Sequence, residues 1–330
     1  MAMGKKRRKI IVFALALGLA CYVHANKRVL VDGYVVWRNP PSPAVVDLAE
    51  RTGMSDLGRR VFFASLPSID DAEDFSASCS DIETTMIILG CHVNGKIHVF
   101  NVRDERIAAA KYVTAAHEML HAAYMRLSAT ERARVDGMLE DMYRSSGDSE
   151  EFSAVMAEYA QVEPGQRDNE LHSILGTEYT TLSPELEDYY SRYFSDRRRV
   201  ADMTIQYKKV FKNLEAGQVK LKAQLERLAA KIESDSSLFE TMAFQLNADI
   251  DAFNQREFHS SVTFNAARQA LIGRQLEIEK FKAQINTDIA KYDAWVEEYN
   301  NLGGRINQLN RLLDAKSQVG IRAIEGAGGS

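Results

Sequence analysis

Only six prolines occur in 330 residues, and none follows Pro184. A chain so poor in helix breakers can run in long uninterrupted helices over its C-terminal part. Cysteine is also scarce. Three residues exclude a disulfide-rich scaffold. Cys21 lies in an apolar run, so Cys79 and Cys91 are the one pair in the body, either bridged in an oxidising compartment or left as two thiols. Positive charge is not in excess: 41 Lys and Arg stand against 46 Asp and Glu, a formal net charge of -5. That balance argues against binding driven by a phosphate backbone, and no nucleic-acid partner is expected.

The main apolar run is Ile10 to Ala25, IIVFALALGLACYVHA, whose 16 residues fall short of the ~20 that cross a bilayer comfortably. Lys5, Lys6, Arg7, Arg8 and Lys9 precede it, while only Lys27 and Arg28 closely follow. A basic cluster before an apolar run is an export signal. The preferred expectation is an uncleaved anchor over residues 1–26, with its N-terminus cytoplasmic and the body of the chain outside the cytoplasm. The alternatives are cleavage after Ala25, giving a secreted protein, or a lipoprotein-like Cys21 preceded by Leu19 and Ala20.

After the anchor, VLVDGYVVW from Val29 to Trp37 reads as a strand broken by NPPSP. Asp47 to Met54 reads as a short helix. TTMIILGCHV and KIHVFNV flank Asn94-Gly95, whose positive φ angles suit a tight hairpin turn. From Arg103 to about Leu127 the composition is helical. Ser128 to Glu131, S-A-T-E, is a capping box that opens a second helix running to Tyr143. Further helices are expected from about Glu150 to Gln161 and from Asp168 onward, with Gly176 as an end or a close packing contact.

From Pro184 to Lys316 apolar residues recur every seven positions. Phe264, Leu271, Ile278, Ile285, Tyr292, Tyr299, Ile306 and Leu313 form one row. Val200, Tyr207, Leu214, Leu221 and Leu228 form another, continued after a phase shift by Leu225, Ile232, Phe239, Leu246 and Phe253. REFHSSVTFN lacks the pattern and can turn the chain. These rows predict two long helices folded into an antiparallel coiled-coil hairpin, each roughly 75 to 85 Å long. Asp288 and Arg274 interrupt the seam and can set its register. Lys208, Lys209 and Lys212 read as a solvated face. YYSRYF, Tyr189 to Phe194, reads as a junction core in preference to a substrate groove.

The stretch TAAHEMLHAA, Thr114 to Ala123, carries chemistry. Residues four apart on a helix share a face, so His117 and His121 can direct imidazole nitrogens to one metal ion. Glu118 lies beside them, within reach of a metal-bound water as general base. Zinc would need a third protein ligand and an open position. The flanking residues are uncharged, as a buried helix requires.

VTAAHEMLHAA resembles the active-site helix of the zincin metallopeptidases, and the strand hairpin before it resembles their sheet, whose edge strand binds extended peptide. The resemblance covers about residues 80 to 200. Leu127 stands where a metzincin would place its third histidine, so the resemblance is to the gluzincins, which draw a glutamate from a later helix. In NELHSILGTEY, Glu170 followed by the small Ser173 resembles their Glu-x-x-small pattern, although Ile174 stands where an Asp often follows. Glu178, His172 and Glu158 are rivals to Glu170. His172, Tyr179 and Tyr190 are candidates to stabilise an oxyanion.

The expected fold is α+β and predominantly helical, with a zincin-like domain and short β-sheet over 27–198, an antiparallel coiled coil over 199–318 and a flexible tail over 319–330. What the resemblance implies is a membrane-anchored endopeptidase acting on polypeptide outside the cytoplasm, with one zinc ion held by His117, His121 and Glu170 and with Glu118 as general base. The coiled coil suggests a protein partner or self-association. The alternatives are a non-catalytic envelope scaffold with a structural metal, or a zinc-dependent cell-wall amide hydrolase.

Overall fold

The computed structural model describes residues 2–79, 87–146, 156–157 and 165–319. It is predominantly helical with one small sheet, and it divides into two compact units: Met1–Val210 with Leu309–Ser330, and Phe211–Gln308.

In the first unit, α1 (Ala2–Ala25) is followed by α2 (Lys27–Arg38), α3 (Pro43–Arg51) and α4 (Asp56–Ala64). Val29 to Trp37 therefore forms a helix and not the expected strand. The valine-rich run favours β structure by propensity, but half-buried positions 32, 35 and 36 follow helical spacing and pack on α4. Asp32 also meets Arg126 at 3.4 Å. The helix expected over 47–54 begins earlier, because Ser42 accepts from the Val45 amide and Pro43 occupies the first helical turn. Ser55 caps α4 in the same way.

The sheet has the order β1-β3-β2, where β1 is Ser68–Asp70, β2 is Gly90–Val93 and β3 is Lys96–Phe100. β1 pairs parallel with β3, and β2 antiparallel with it. The hairpin turn at Asn94 and Gly95 has φ of 52° and 78°, the left-handed pair that the sequence predicts. The expected strand from Thr84 is shorter, since regular pairing begins at Gly90 and residues 84–86 lie outside the described residues. α5 (Ala72–Ser78) covers one face, with Phe75 against Phe100. Cys79 and Cys91 form a disulfide with Cα atoms 6.1 Å apart.

Ile97 and Val99, on the other face, join a core built around α6 (Ala109–Tyr124). This helix is shorter than expected, because Asp104 to Arg106 form a turn in which Asp104 accepts from Arg106. Ala115, Ala116, Met119, Leu120, Ala122 and Ala123 are all buried. α7 (Ala129–Ser146) opens on the predicted capping box, with Glu131 accepting from the Ser128 amide and Ser128 Oγ from the Glu131 amide. The helix expected over 150–161 lies outside the described residues except for Met156 and Ala157.

Next comes α8 (Arg167–Glu178), which packs along α6. A Cβ on Gly176 would collide with Leu120 and Tyr190, so this glycine is a close packing contact. α9 (Pro184–Tyr190) follows, capped by Ser183. Tyr189, Tyr190, Tyr193 and Phe194 are buried, so the aromatic run is core.

The second unit comprises most of α10 (Arg198–Gln255) and α11 (Ser261–Leu313). Residues 256–260 turn the chain. Lys231 meets Asp288 at 2.7 Å, Asp249 pairs with Arg274, and Phe253 touches Phe264. As one number rises the other falls, so the helices run antiparallel. The two residues that interrupt the apolar row, Asp288 and Arg274, are those that pair across the hairpin. Leu214, Leu221, Leu228, Leu246, Ile278 and Ile285 are buried from these rows. The expected tail over 319–330 lies outside the described residues except for Val319.

Candidate metal centre

Sixteen residues without proline or glycine make α6 a continuous helix, and its i, i+4 geometry brings His117 and His121 onto one face with ring centroids 4.7 Å apart. The helix is largely buried because small residues let neighbouring elements approach it. α8 comes closest and brings Glu170 to the histidine pair. His121 Nε2 lies 3.3 Å from Glu170 Oε1, and His117 Nε2 lies 3.6 Å from Glu170 Oε2. One ligand atom from each of the three residues lies within 4.8 Å of the others.

Two imidazole nitrogens and a carboxylate oxygen are a donor set suited to zinc. Glu170 Oε2 is buried without a hydrogen-bond partner, although a buried carboxylate oxygen normally has one. A cation at the triad would satisfy it, so the residues fit a metal ion. His117 keeps a 17% exposed side chain, which leaves this side of the cluster open, whereas Glu118, His121 and Glu170 are buried.

The charges here are strongly coupled. Burial pushes the His121 imidazole down to about 4, partly offset by Glu170 and reinforced by His117. Burial is also the largest influence on His117, but the close approach and charge of Glu170, with the charges of Glu118 and Glu178, outweigh it and raise that imidazole above its ordinary value. For Glu170, burial favours the neutral acid, yet the two histidines hold the carboxyl below the usual range. The site therefore favours a carboxylate opposite imidazoles before any metal is considered.

Glu118 faces the sheet. A Cβ on Gly90, the first residue of β2, would come 2.6 Å from Glu118 Oε1 and 2.5 Å from Thr114 Cγ2. Only glycine allows the strand to lie this close. Neither Gly90 nor His92 is singled out by the sequence. His92, two residues on and on the same strand face, is close enough to depress His121 electrostatically, and its Nε2 is buried without a partner. The signal for Gly90 was a glycine opening a short strand, which commonly marks a close approach.

Two of the rivals to Glu170, Glu178 and His172, lie outside the cluster. Glu178 meets Lys208 at 2.6 Å, so Lys208 is tied down while Lys209 and Lys212 remain exposed. Glu158 lies outside the described residues. His172 is fully buried, with Nε2 2.9 Å from the Tyr189 hydroxyl and its ring against Tyr124, Tyr189 and Tyr190. Burial, then the charges of His121 and His117, push it down to about 3. Tyr190 donates its hydroxyl to the His172 carbonyl at 2.7 Å. These two oxyanion candidates are thus engaged in the core behind the cluster. Tyr179 is at the C-terminal end of α8, where its carbonyl accepts from Arg197.

No protein-family model matches the chain, and neither a curated protein nor a solved structure is significantly similar to it.

Proposed function

We propose that this chain is a zinc-dependent endopeptidase of gluzincin type, held at a membrane by its N-terminal segment and acting outside the cytoplasm. One observation carries the reading: His117, His121 and Glu170 converge from two helices on a single point, with Glu118 on the adjoining helix position.

When bound, the ion supplies Lewis acidity that brings a water near neutral pKa and polarises the scissile carbonyl. The chain's own residues do the rest. His117, His121 and Glu170 hold the ion, and burial keeps His121 neutral and able to donate its lone pair. Glu118 takes a proton from the attacking water on its carboxylate and delivers it to the leaving amine nitrogen. Among the described residues β2 is a sheet edge, and its outer side would offer main-chain groups to an extended polypeptide beside Glu118. The disulfide suits an oxidising compartment.

We read the long helix pair as an antiparallel coiled coil for a protein partner or self-association. Val219, Phe244 and Val262 are each at least 70% exposed on it and support such a role. The same residues favour the second reading, a non-catalytic envelope scaffold whose metal is structural.

Metal analysis together with Glu118→Gln separates the two. The peptidase reading expects one zinc per chain, retained in the variant, with hydrolysis of unfolded protein lost. Equal activity in the variant would sink it. Hydrolysis of peptidoglycan fragments but not of polypeptide would identify the cell-wall amide hydrolase instead.

A further inference from the structure

Among the described residues no single helix is long and apolar enough to cross a membrane, but α1 and α2 together pass as a pair bent by 72° between Lys9–Ala25 and Lys27–Arg38. The two halves differ in character. α1 exposes apolar side chains all round, including Ile10, Phe13, Leu17 and Val23. α2 has two opposed faces. Asp32, Val35 and Val36 are half-buried on the side that packs on α4. Leu30, Tyr34 and Trp37, spaced i, i+4, i+7, form one outward stripe.

That outward stripe is costly in water. Tyr34 is 62% exposed and Trp37 76%, with their rings 6.0 Å apart. Lys27 and Arg38 flank it on one side by helical spacing. The single carboxylate of α2, Asp32, points inward to Arg126. The exposed face is therefore aromatic, apolar and cationic, with no negative charge.

We propose that α2 is an interfacial helix, lying in the headgroup layer of an anionic bilayer with Leu30, Tyr34 and Trp37 directed into it. This rests on the reading of α1 as a membrane segment. Three features favour lipid as the occupant. The stripe continues directly from an apolar helix; the bend turns α2 away from the axis of α1, as a helix leaving the bilayer for its surface must turn; and Trp and Tyr with flanking Lys and Arg is the composition that settles at a headgroup boundary. Because Asp32 holds Arg126, whose Nη1 donates to the Ala122 carbonyl, α2 is tied to the C-terminal end of the metal-site helix. Docking α2 would fix how that helix faces the membrane.

The chain has two tryptophans, so Trp295→Phe in the full-length protein leaves Trp37 as the sole indole. It would be reconstituted with phosphatidylcholine vesicles containing a minority of phosphatidylglycerol, with bromine placed either high or deep on the acyl chains. Flotation reads whether α1 holds the protein on the vesicles, and Trp37 emission reads where α2 lies. The expected result is flotation with blue-shifted emission, quenched more by the high bromine than by the deep. Adding Leu30→Glu and Tyr34→Glu should keep flotation and abolish quenching. Flotation with unshifted, unquenched emission overturns the interfacial helix alone, while failure to float overturns both it and the membrane reading of α1. A blue shift without quenching, accompanied by a doubled mass, assigns the stripe to a second copy of the chain and also overturns the proposal. Quenching that persists in the glutamate variant does the same.

Discussion

Gly90 lies directly against Glu118: a methyl group on the glycine would stand 2.6 Å from the carboxylate Oε1 and 2.8 Å from Cγ. No side chain can enter there unless Glu118 and Thr114, or β2, move. Gly90→Ala should therefore displace the proposed general base while leaving His117, His121 and Glu170 in place. Bound zinc, measured by elemental analysis, is expected to stay at the wild-type level. The kcat/KM for peptide hydrolysis should fall on the order of 100-fold, the cost of misplacing a catalytic group by about 1 Å. Unchanged kcat/KM would show that the close approach of Gly90 does not hold the proposed base in place.

Glu170 is the member of the triad brought from a second helix, and its Oε2 is buried with no hydrogen bond, 3.6 Å from His117 Nε2. Glu170→Gln keeps the shape and removes the charge. Zinc affinity, read by competition with a chromogenic chelator, should drop by at least the ~10- to 100-fold seen when mere supporting groups are lost. Far-ultraviolet circular dichroism should be unchanged, because Gln is sterically equivalent here. If affinity holds, the metal is not bound at this cluster. Glu178→Gln, which breaks the ion pair with Lys208 and removes only a minor electrostatic influence on His117, should leave zinc affinity nearly as it was.

The histidine pair was legible because a 3.6-residue period alone brings His117 and His121 together, whereas Glu170 needed a pattern shared with known peptidases. The long helices were legible for the same reason of period, and the Asn94-Gly95 turn because only certain residues tolerate positive φ. What failed to show in the sequence depends on contacts far apart in the chain. α2 looks like a strand until Asp32 meets Arg126, 94 positions away. β1 is three residues long and has no alternation to detect; only its pairing with His98 to Phe100 defines it. Gly90 carries its meaning through Glu118 and Thr114, which lie against it. The burial of His172 among Tyr124, Tyr189 and Tyr190 joins three separate helices, and no local pattern encodes it.

His172 gives the metal-free protein a pH dependence of known sign. Its imidazole is pushed down to about 3 in the folded chain, against about 6.5 when unfolded. The unfolded state therefore binds this proton first as pH falls. The contribution to stability is fully present above about pH 6.5 and is lost progressively between there and pH 3. The full effect is a few kcal/mol, at about 1.4 kcal/mol per unit. Urea denaturation of chelator-treated protein at a series of pH values should show the loss. In His172→Gln, which keeps an amide to meet Tyr189 but cannot titrate, the slope over this window should be shallower. An identical slope would mean that His172 is not the titrating group.

Arg197 offers a test of stability separate from chemistry. Its side chain is 3% exposed and lies at the C-terminal end of α8, donating to the carbonyls of Tyr179 and Thr180 and pairing with Glu187. It thus satisfies carbonyls that the end of the helix leaves without partners. Arg197→Met fills similar space but leaves those carbonyls and Glu187 unpaired. The expected cost is about 2–3 kcal/mol, moderated because Glu187 is 37% exposed. In a domain of this size that lowers Tm by roughly 2–4 °C per kcal/mol, readable by calorimetry. Arg197→Lys keeps the charge without the planar fork and should fall between the two. Glu170 sits two helical turns away, near the opposite end of α8, so zinc affinity below the melting transition should be unaltered in both variants. A loss of affinity matching the loss of stability would mean that the far end of α8, and not only Glu170 itself, sets the position of the metal ligand.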